Sequence, residues 1–426
     1  MNIASWFYYH SQKFQKMFAR LLIVAGPGLM VMIADNDAGG ITTYAATGAQ
    51  FKYEMIWFLL LLIPIAYFVQ EMAARTGVAT KRGHAVAIFE YYGYFWGWFT
   101  LIDLVILNWM TLVTEFIGIT AAFSVFGVPA WIPDVGVVVL LGTMVLGGSY
   151  WTWEKISLAF CMLNLIYIPC VFWLKPDMGA VLHGFIPKEP SLGWGDPGVL
   201  MFLMANIGTT IAPWMIFFQQ SAVVDKGLKE KDIGFGRFET LFGSILTVTV
   251  AICIVITTGT LLPGVNIESG DQAAKAIMPF SQGIGTALAV GLATAGLVGA
   301  ICITLASSWS FAEVFGWPSS LNKKVREAPW FYGLYFFQLI SAAAVVLIPN
   351  APLVLMTIFV QVFAMCVLPT SMVFMLLILN DKNDMGALIN KRWENICTGL
   401  IIVFIIILST LYGLMAIWPD LLGGAK

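Results

Sequence analysis

Long apolar stretches separated by short polar breaks dominate this chain. A helix that crosses about 30 Å of hydrocarbon needs about 20 mostly apolar residues, and eleven such stretches lie between charged or Gly/Pro-rich breaks. They cover approximately residues 21–48, 55–74, 95–126, 135–149, 156–173, 199–223, 241–262, 284–314, 330–348, 353–379 and 396–417. The pattern predicts an all-α integral membrane protein with eleven spans and no soluble domain.

Composition and loop charge support this interpretation and assign the sides of the membrane. Of the 426 residues, 59% are hydrophobic and only 11% are charged, whereas soluble domains contain roughly 25% charged residues. The net charge of −2 leaves no basic surface for a nucleic acid. If segment 1–20 is cytoplasmic, 17 of the 22 Lys and Arg residues lie in predicted inside loops, as the positive-inside rule requires.

The charge distribution therefore predicts a multi-pass protein of the plasma membrane or bacterial inner membrane. Its N-terminus is expected to be cytoplasmic and its C-terminus extracellular. The lipid bilayer is the expected environment. No obligate protein partner and no nucleic-acid partner are expected.

Two predicted spans contain residues that interrupt membrane helices. The first carries Asp35 and Asp37 beside Gly39 and Gly40, and the sixth carries Pro213. Carboxylates cost about 2.5 kcal/mol or more inside a membrane, so they usually face a cavity or an ion path. A glycine pair lets the backbone unwind, and proline removes a helical hydrogen bond. Both helices are expected to be broken near the bilayer midplane.

Breaks in the first and sixth helices are typical of an inverted repeat of five plus five helices. In such transporters the substrate lies between the two broken segments. The repeats are then predicted over residues 21–174 and 198–379, with residues 396–417 forming an eleventh helix outside the repeat.

Motifs at both breaks resemble those of the Nramp family of divalent-metal transporters, also called solute carrier family 11. The family's GPG, DPGN and GAQFGY patterns correspond to GPG at 26–28, DAGG at 37–40 and GAQFKY at 48–53. Its GATVMPH aligns without a gap with GTTIAPW at 208–214, and its TDLAEVIG with TLVTEFIG at 111–118. The resemblance spans nearly the whole chain and implies the LeuT-like (APC) fold.

The departures from the family pattern concern the metal site. The resemblance implies that the family binds its ion through the Asp and Asn of DPGN, a methionine sulfur and a backbone carbonyl. Here Asp37 is retained, Gly40 replaces the Asn, Ala212 replaces the Met, and Thr209 holds the carbonyl position. A thioether favours soft metals. Its loss leaves an enlarged, oxygen-lined site that suits a hydrated ion such as Mg²⁺.

This pattern resembles the bacterial Nramp-related magnesium transporters, in which Mn²⁺ is also carried. The predicted substrate is therefore Mg²⁺ or Mn²⁺, with no cofactor and no enzymatic activity. Four further residues are candidates for the pathway or for contacts around the ion's water shell. These are Asp35, Glu115, Gln361 and Trp214.

The titratable groups that the family uses for proton coupling are replaced in this chain. The sixth-helix histidine positions hold Trp214 and Gln219, the third-helix aspartate position holds Leu112, and residues 328–332 contain no arginine. The three histidines, His10, His84 and His183, are expected in the N-terminal segment or in loops. Since histidine is the group best suited to carry protons near pH 7, uncoupled transport driven by the membrane potential is expected.

Two alternative functions remain open on the sequence alone. One is a proton-coupled Mn²⁺ or Fe²⁺ importer of the ordinary Nramp type. The other is a Na⁺-coupled organic-solute symporter with the same fold. An intramembrane aspartyl protease needs two facing carboxylates from different helices. Asp35 and Asp37 lie about 200° apart around a helix and cannot form that pair by themselves.

Overall fold

The structure, a computed structural model, describes residues 26–147, 149–349, 351 and 353–417. Within these ranges the chain forms helices and turns, and it contains no β-strand. The first half comprises α1 (Pro27–Ala34), α2 (Ala38–Phe51), α3 (Ile56–Thr80), α4 (His84–Ser124), α5 (Trp131–Leu146), α6 (Tyr150–Leu163), α7 (Tyr167–Leu174) and α8 (Met178–His183). The second half comprises α9 (Pro197–Thr210), α10 (Pro213–Lys226), α11 (Ile233–Leu261), α12 (Gly270–Ile277), α13 (Gln282–Val314), α14 (Pro329–Val346), α15 (Leu353–Leu379), α16 (Lys382–Met385) and α17 (Arg392–Ile417). The predicted segment 1–20 and the C-terminal residues 418–426 lie outside the described residues.

The helices are long and apolar enough for a membrane protein. Nine helical stretches of the described chain meet the length and hydropathy needed to cross a bilayer. The fourth predicted span is the shorter apolar helix α5, and the first is divided between α1 and α2. A helix therefore lies in each of the eleven predicted regions. The exact boundaries of the two repeats stay predictions.

Both predicted helix breaks are present. Helix α1 ends at Ala34, and α2 begins after Asp37, whose backbone is extended (φ −69°, ψ 177°). In the second break Ile211 (φ −143°, ψ 74°) and Ala212 (φ −84°, ψ 146°) leave the helical region before Pro213 starts α10. Proline is favoured at this first helical position because its missing N–H would be unpaired there anyway.

The broken helices form the centre of the molecule, and the last helix lies at its edge. The most apolar window of the sixth span, which consists of α9 and α10, is 89% buried, whereas that of α17 is 17% buried. Helix α11 packs against α2 and α3, α13 packs against α4, and α9 packs against α15. The eleventh predicted span therefore lies at the edge of the described helices.

His84 corrects one sequence expectation. It was expected in a loop, but it is the first residue of α4 and is only 1% exposed. Its Nδ1 lies 3.1 Å from Oε1 of Gln220, and its Nε2 lies 3.2 Å from the carbonyl oxygen of Ser371. The helix begins eleven residues before the predicted third span and bends at Gly93, where φ is 83°. The Lys and Arg residues around position 82 predicted a loop here. His84 is nevertheless buried, because residues distant in sequence pack against it.

The other two histidines are less informative. His183 ends the short helix α8 and is exposed. His10 lies outside the described residues.

Candidate functional site

The candidate site is built around the first turn of α2. Asp37 precedes this helix, is 2% exposed, and accepts a hydrogen bond of 2.6 Å from the N–H of Gly40. The unpaired N–H groups at a helix N-terminus carry partial positive charge, which stabilises a carboxylate there. The break in the first span therefore holds a buried carboxylate at a fixed position.

A second carboxylate reaches the same helix end from α4. Oε2 of Glu115 accepts a hydrogen bond of 3.0 Å from the N–H of Ala38, and Glu115 is fully buried. The carboxyl groups of Glu115 and Asp37 lie close enough to interact. Oε1 of Glu115 has no partner among the described groups. Glu115 thus supports the N-terminus of α2 directly, a role that the sequence did not reveal.

The predicted metal residues Asp37, Gly40 and Thr209 come together in space. A methyl group built on Gly40 would lie 2.6 Å from Oγ1 of Thr209, 3.1 Å from the carbonyl oxygen of Asp35 and 3.2 Å from Oδ1 of Asp37. The Thr209 hydroxyl is buried and has no hydrogen-bond partner in the described chain. Three oxygen atoms from both broken spans therefore lie against Gly40, and replacement of the family's Asn by Gly leaves no empty space at the Cβ position.

Gln361 joins this group from α15. Its amide carbon would lie 3.2 Å from a methyl group built on Gly39, and its Nε2 would lie still closer. The side chain is 2% exposed, and Nε2 has no partner among the described residues. Rotation of the terminal amide can present either its oxygen or its nitrogen. Gln361 is therefore placed to hydrogen-bond water at the site.

Asp35 is buried differently from Asp37. Its side chain is fully buried, and neither carboxyl oxygen has a partner in the part of the chain that the structure describes. The carboxyl group lies close enough to Asp37 and Tyr44 to interact electrostatically. Its backbone carbonyl, rather than its side chain, faces Gly40. Asp35 therefore places a second carboxyl group beside the site.

Tyr44 is a site residue that the sequence analysis missed. Its hydroxyl lies 2.9 Å from Oγ1 of Thr210, so it links α2 to the end of α9 directly beside the second break. One turn further along α2, Thr47 accepts a hydrogen bond of 2.9 Å from Nδ2 of Asn206. Residues three or four apart share one helix face. The spacings from Asp37 to Gly40 and from Gly40 to Tyr44 therefore could have predicted that Tyr44 lies beside the site.

The second break brings a sulfur atom close to Ala212. The N–H of Ala212 lies 3.3 Å from Sδ of Met215, and both residues are buried. The resemblance to the family motif implies that Ala212 stands where the family has a methionine. The thioether of Met215, however, lies one turn further along the chain. Its sulfur is engaged with the backbone of the break.

Trp214 packs in an aromatic cluster. It is 1% exposed, and its ring lies edge-on to Phe218 with centroids 6.4 Å apart. Phe218 in turn packs against Trp309 at 5.7 Å. The indole N–H of Trp214 has no partner among the described residues. These contacts favour a packing role over contact with the ion.

A cavity of about 560 Å³ leads towards the site from the predicted outer face. Thr42, Thr43, Gln50, Asn266 and Glu268 provide its polar lining. The hydroxyl of Thr43 donates a 2.9 Å hydrogen bond to the carbonyl of Gly39, so the cavity reaches within one turn of the Gly39–Gly40 pair.

The predicted inner side is closed by buried charges. The void between α1, α3, α10 and α11 has a volume of only about 20 Å³. Lys226 pairs with Glu154 at 2.8 Å, and Arg75 pairs with Glu71 at 3.0 Å. Glu239 accepts hydrogen bonds of 2.6 Å from the N–H groups of Gly26 and Leu29 at the start of α1. The cavity on the predicted outer side is therefore much larger than the void on the predicted inner side.

No set of three His, Cys, Asp or Glu side chains converges closely enough to hold a metal ion within the described chain. The candidate site instead combines the Asp37 carboxylate with hydroxyl, carbonyl and amide groups. The assignment of Asp37, Gly40, Thr209 and Ala212 as metal residues stays a prediction.

Comparison with known proteins establishes the family. The profile of the Nramp family, described as natural resistance-associated macrophage protein-like, matches residues 28–415. The chain belongs to the Nramp family. The predicted family is thereby confirmed.

Curated Nramp relatives cover most of the chain. The divalent metal cation transporter MntH of Staphylococcus saprophyticus is 28% identical over 438 aligned positions, covering 94% of this chain and 92% of that protein. The metal transporter Nramp5 of rice, Oryza sativa, is 28% identical over 270 positions, covering 59% of this chain and 48% of that protein.

Solved structures of similar shape confirm the predicted fold. A manganese transporter of Eremococcus coleocola, solved with an aromatic bis-isothiourea compound, has a TM-score of 0.75 at 18% identity, covering 93% of this chain and 87% of that one. MhsT, solved with L-phenylalanine, has a TM-score of 0.60 at 14% identity, covering 92% and 98%. The chain therefore has the LeuT-like fold, with broken first and sixth spans.

Proposed function

We propose that this Nramp-family protein transports Mg²⁺, and also Mn²⁺, as largely hydrated ions. Family membership and the named activities of its relatives, which include divalent metal cation and manganese transporters, support divalent-metal transport. The choice of Mg²⁺ depends on the chemistry of the candidate site. Metal is the substrate in this proposal, and the proposal requires no cofactor or protein partner.

The ring of oxygen atoms around Gly40 is the observation that carries the proposal. Asp37, the Asp35 carbonyl and the unpartnered Thr209 hydroxyl all face the position where an Asn side chain of the family would begin. Mg²⁺ holds water at 2.0–2.1 Å and releases it reluctantly. Protein oxygens that hydrogen-bond this water would lie about 4 Å from the ion. A site with one carboxylate and several neutral oxygens suits such an ion.

The surroundings of the site also support transport without proton coupling. The described side chains that face Gly40 include no histidine. His84 is buried, but its partner Gln220 lies eight residues beyond Ala212, which is about 12 Å along a helix. Glu115 lies beside Asp37, and Oε2 of Glu115 accepts a hydrogen bond from the N–H of Ala38. The membrane potential would then drive uptake.

A proton-coupled Mn²⁺ importer is the main alternative. The manganese activity of a structural relative favours it, as does the sulfur of Met215 beside Ala212. A Na⁺-coupled organic-solute symporter would have only the fold in common with this chain. In addition, the fixed carboxylate of Asp37 would repel the carboxylate of an amino-acid substrate.

Flux into liposomes tests these alternatives. The purified chain is reconstituted with a Mg²⁺ indicator or a pH indicator trapped inside, and Mg²⁺, Mn²⁺ or Ca²⁺ is added under an imposed inside-negative potential. We expect potential-dependent Mg²⁺ uptake that Mn²⁺ inhibits, with no acidification of the lumen. Mn²⁺ uptake without Mg²⁺ uptake, together with metal-dependent acidification, would favour the proton-coupled alternative.

Sidedness is part of the same proposal. The protein is placed in the plasma membrane with a cytoplasmic N-terminus and an extracellular C-terminus. Labelling of cysteines introduced into the exposed loops at Lys229 and Glu268 with an impermeant reagent tests this orientation. Only the latter position should react from outside intact cells.

A further inference from the structure

A row of stacked aromatic rings runs along the surface between α13 and α14. Phe311 stacks on Phe315 with centroids 5.9 Å apart, Phe315 on Trp317 at 5.0 Å, and Trp317 on Trp330 at 5.7 Å. Together with Leu334 and Phe337 these rings line a groove of about 470 Å³, here called the aromatic groove. Trp330 and Phe337 are each 67% exposed. Nothing in the transport mechanism uses this surface.

A second cavity lies beside the segment that connects α13 to α14. It has a volume of about 620 Å³, and its charged lining consists of Lys324, Arg326 and Glu327. In the described chain, Lys324 and Arg326 form no ion pair. The carboxylate of Glu327 accepts a 2.8 Å hydrogen bond from the backbone N–H of Lys324. The cavity, here called the basic cavity, therefore carries a net positive charge.

Hydrogen bonds to the rest of the protein hold this segment in place. The N–H of Leu321 donates to Asp225 at 3.2 Å, and Asn322 accepts from the N–H of Tyr150 at 3.2 Å. The hydroxyl of Tyr332 donates to the carbonyl of Lys323 at 2.6 Å. The two basic side chains therefore project from a fixed backbone, which lowers the entropy cost of binding a ligand.

The aromatic groove and the basic cavity are close enough for one ligand. Glu327 of the basic cavity and Trp330 of the aromatic groove are three residues apart in sequence, so their Cα atoms lie at most about 11 Å apart. The segment connects the predicted inner ends of the eighth and ninth spans. Aromatic side chains concentrate at membrane–water interfaces, and basic pockets between membrane helices on the cytoplasmic side bind anionic lipid head groups.

We propose that this surface binds one anionic phospholipid of the inner leaflet. Its phosphate group is held by Lys324 and Arg326, and its acyl chain lies in the aromatic groove. Charge complementarity and the adjacent exposed aromatic surface favour a lipid over a soluble anion, which has no acyl chain to fill the aromatic groove.

Native mass spectrometry of the full chain in a neutral detergent tests the proposal. The probes are phosphatidylglycerol and phosphatidylcholine with matched acyl chains. We expect preferential retention of phosphatidylglycerol. Each basic residue near an anionic lipid contributes about fivefold in binding, so the double variant K324Q/R326Q should bind phosphatidylglycerol about 25-fold more weakly.

Matched controls separate specific binding from general charge. The double variant K229Q/K231Q removes two exposed basic side chains from another predicted inner loop and should change binding less than twofold. Trp330→Ala should weaken binding of both lipids, because it removes part of the acyl-chain groove. Equal retention of the two lipids, equal loss in both double variants, or displacement of phosphatidylglycerol by inorganic phosphate would each overturn the proposal.

Discussion

Replacing Gly40 by alanine places one methyl group at the centre of the candidate site. The methyl carbon would lie 2.6 Å from Oγ1 of Thr209 and 3.1 Å from the Asp35 carbonyl oxygen. Thr209 must rotate or move to relieve this contact. Overpacking of this kind costs about 1–3 kcal/mol, and the better helix propensity of alanine offsets about 0.5–1 kcal/mol. The protein should therefore fold.

Transport should be affected more strongly than folding. The methyl group displaces the Thr209 hydroxyl from its position beside Asp37, so this hydroxyl can no longer contact a water of the hydrated ion. A hydrogen bond to a charged group contributes about 1.5–3 kcal/mol, so the loss of one water contact should weaken Mg²⁺ binding by about tenfold or more. Initial Mg²⁺ uptake into liposomes, measured over a range of Mg²⁺ concentrations, provides the apparent affinity.

Two further variants make the test specific. Gly136 of α5 has no neighbouring atom within 4 Å of a built methyl group, so Gly136→Ala is the matched control and should leave Mg²⁺ uptake unchanged. In the double variant G40A/T209A the close contact is removed. Partial recovery of uptake would indicate a loss of space, whereas a further decrease would indicate that the Thr209 hydroxyl contacts the hydrated ion. Unchanged Mg²⁺ affinity in Gly40→Ala alone would refute the proposed site.

Asp37→Asn should retain the helix cap, because Asn also caps helices, yet abolish metal uptake in the liposome assay; substantial Mg²⁺ flux would place the ion elsewhere. Asp35→Asn should raise the Mg²⁺ concentration needed for half-maximal uptake more than it lowers the maximal rate, if Asp35 only concentrates cations; an equal loss of both would indicate direct contact. Ala212→Met combined with Gly40→Asn should increase Cd²⁺ and Mn²⁺ binding and reduce Mg²⁺ uptake, as measured by calorimetry and flux; full Mg²⁺ uptake without Cd²⁺ binding would locate selectivity outside the site. Glu115→Gln should keep Mg²⁺ uptake and leave the trapped pH dye unchanged, since a Gln oxygen can still accept from the N–H of Ala38; acidification in the unmodified protein that disappears in this variant would identify Glu115 as a proton carrier.

The sequence predicted the helix breaks well because their causes are local. Asp37 caps the N-terminus of α2 through the N–H of Gly40, and Pro213 cannot donate the hydrogen bond that would continue α9. The second break ends at Pro213, whereas the first lies at residues 35–37, directly before the glycine pair, which is helical in the first turn of α2. The apolar stretches likewise predicted the helical regions, because the composition of a stretch by itself decides whether it is suited to cross a membrane.

Contacts between residues far apart in sequence decided the rest. Glu115 meets Ala38 across 77 residues, and Tyr44 meets Thr210 across 166. His84 has no local feature that predicts burial, because its partners Gln220 and Ser371 belong to α10 and α15.

The sequence by itself determined the family, the membrane class and the two regions in which helices are broken. Only the tertiary structure decided that the Thr209 hydroxyl faces Gly40, that Met215 places a sulfur beside Ala212, and that a large cavity lies on the predicted outer side and only a small void on the predicted inner side. The physical reason is that helix breaking depends on neighbouring backbone atoms. The shape of a cavity depends instead on how separate helices pack.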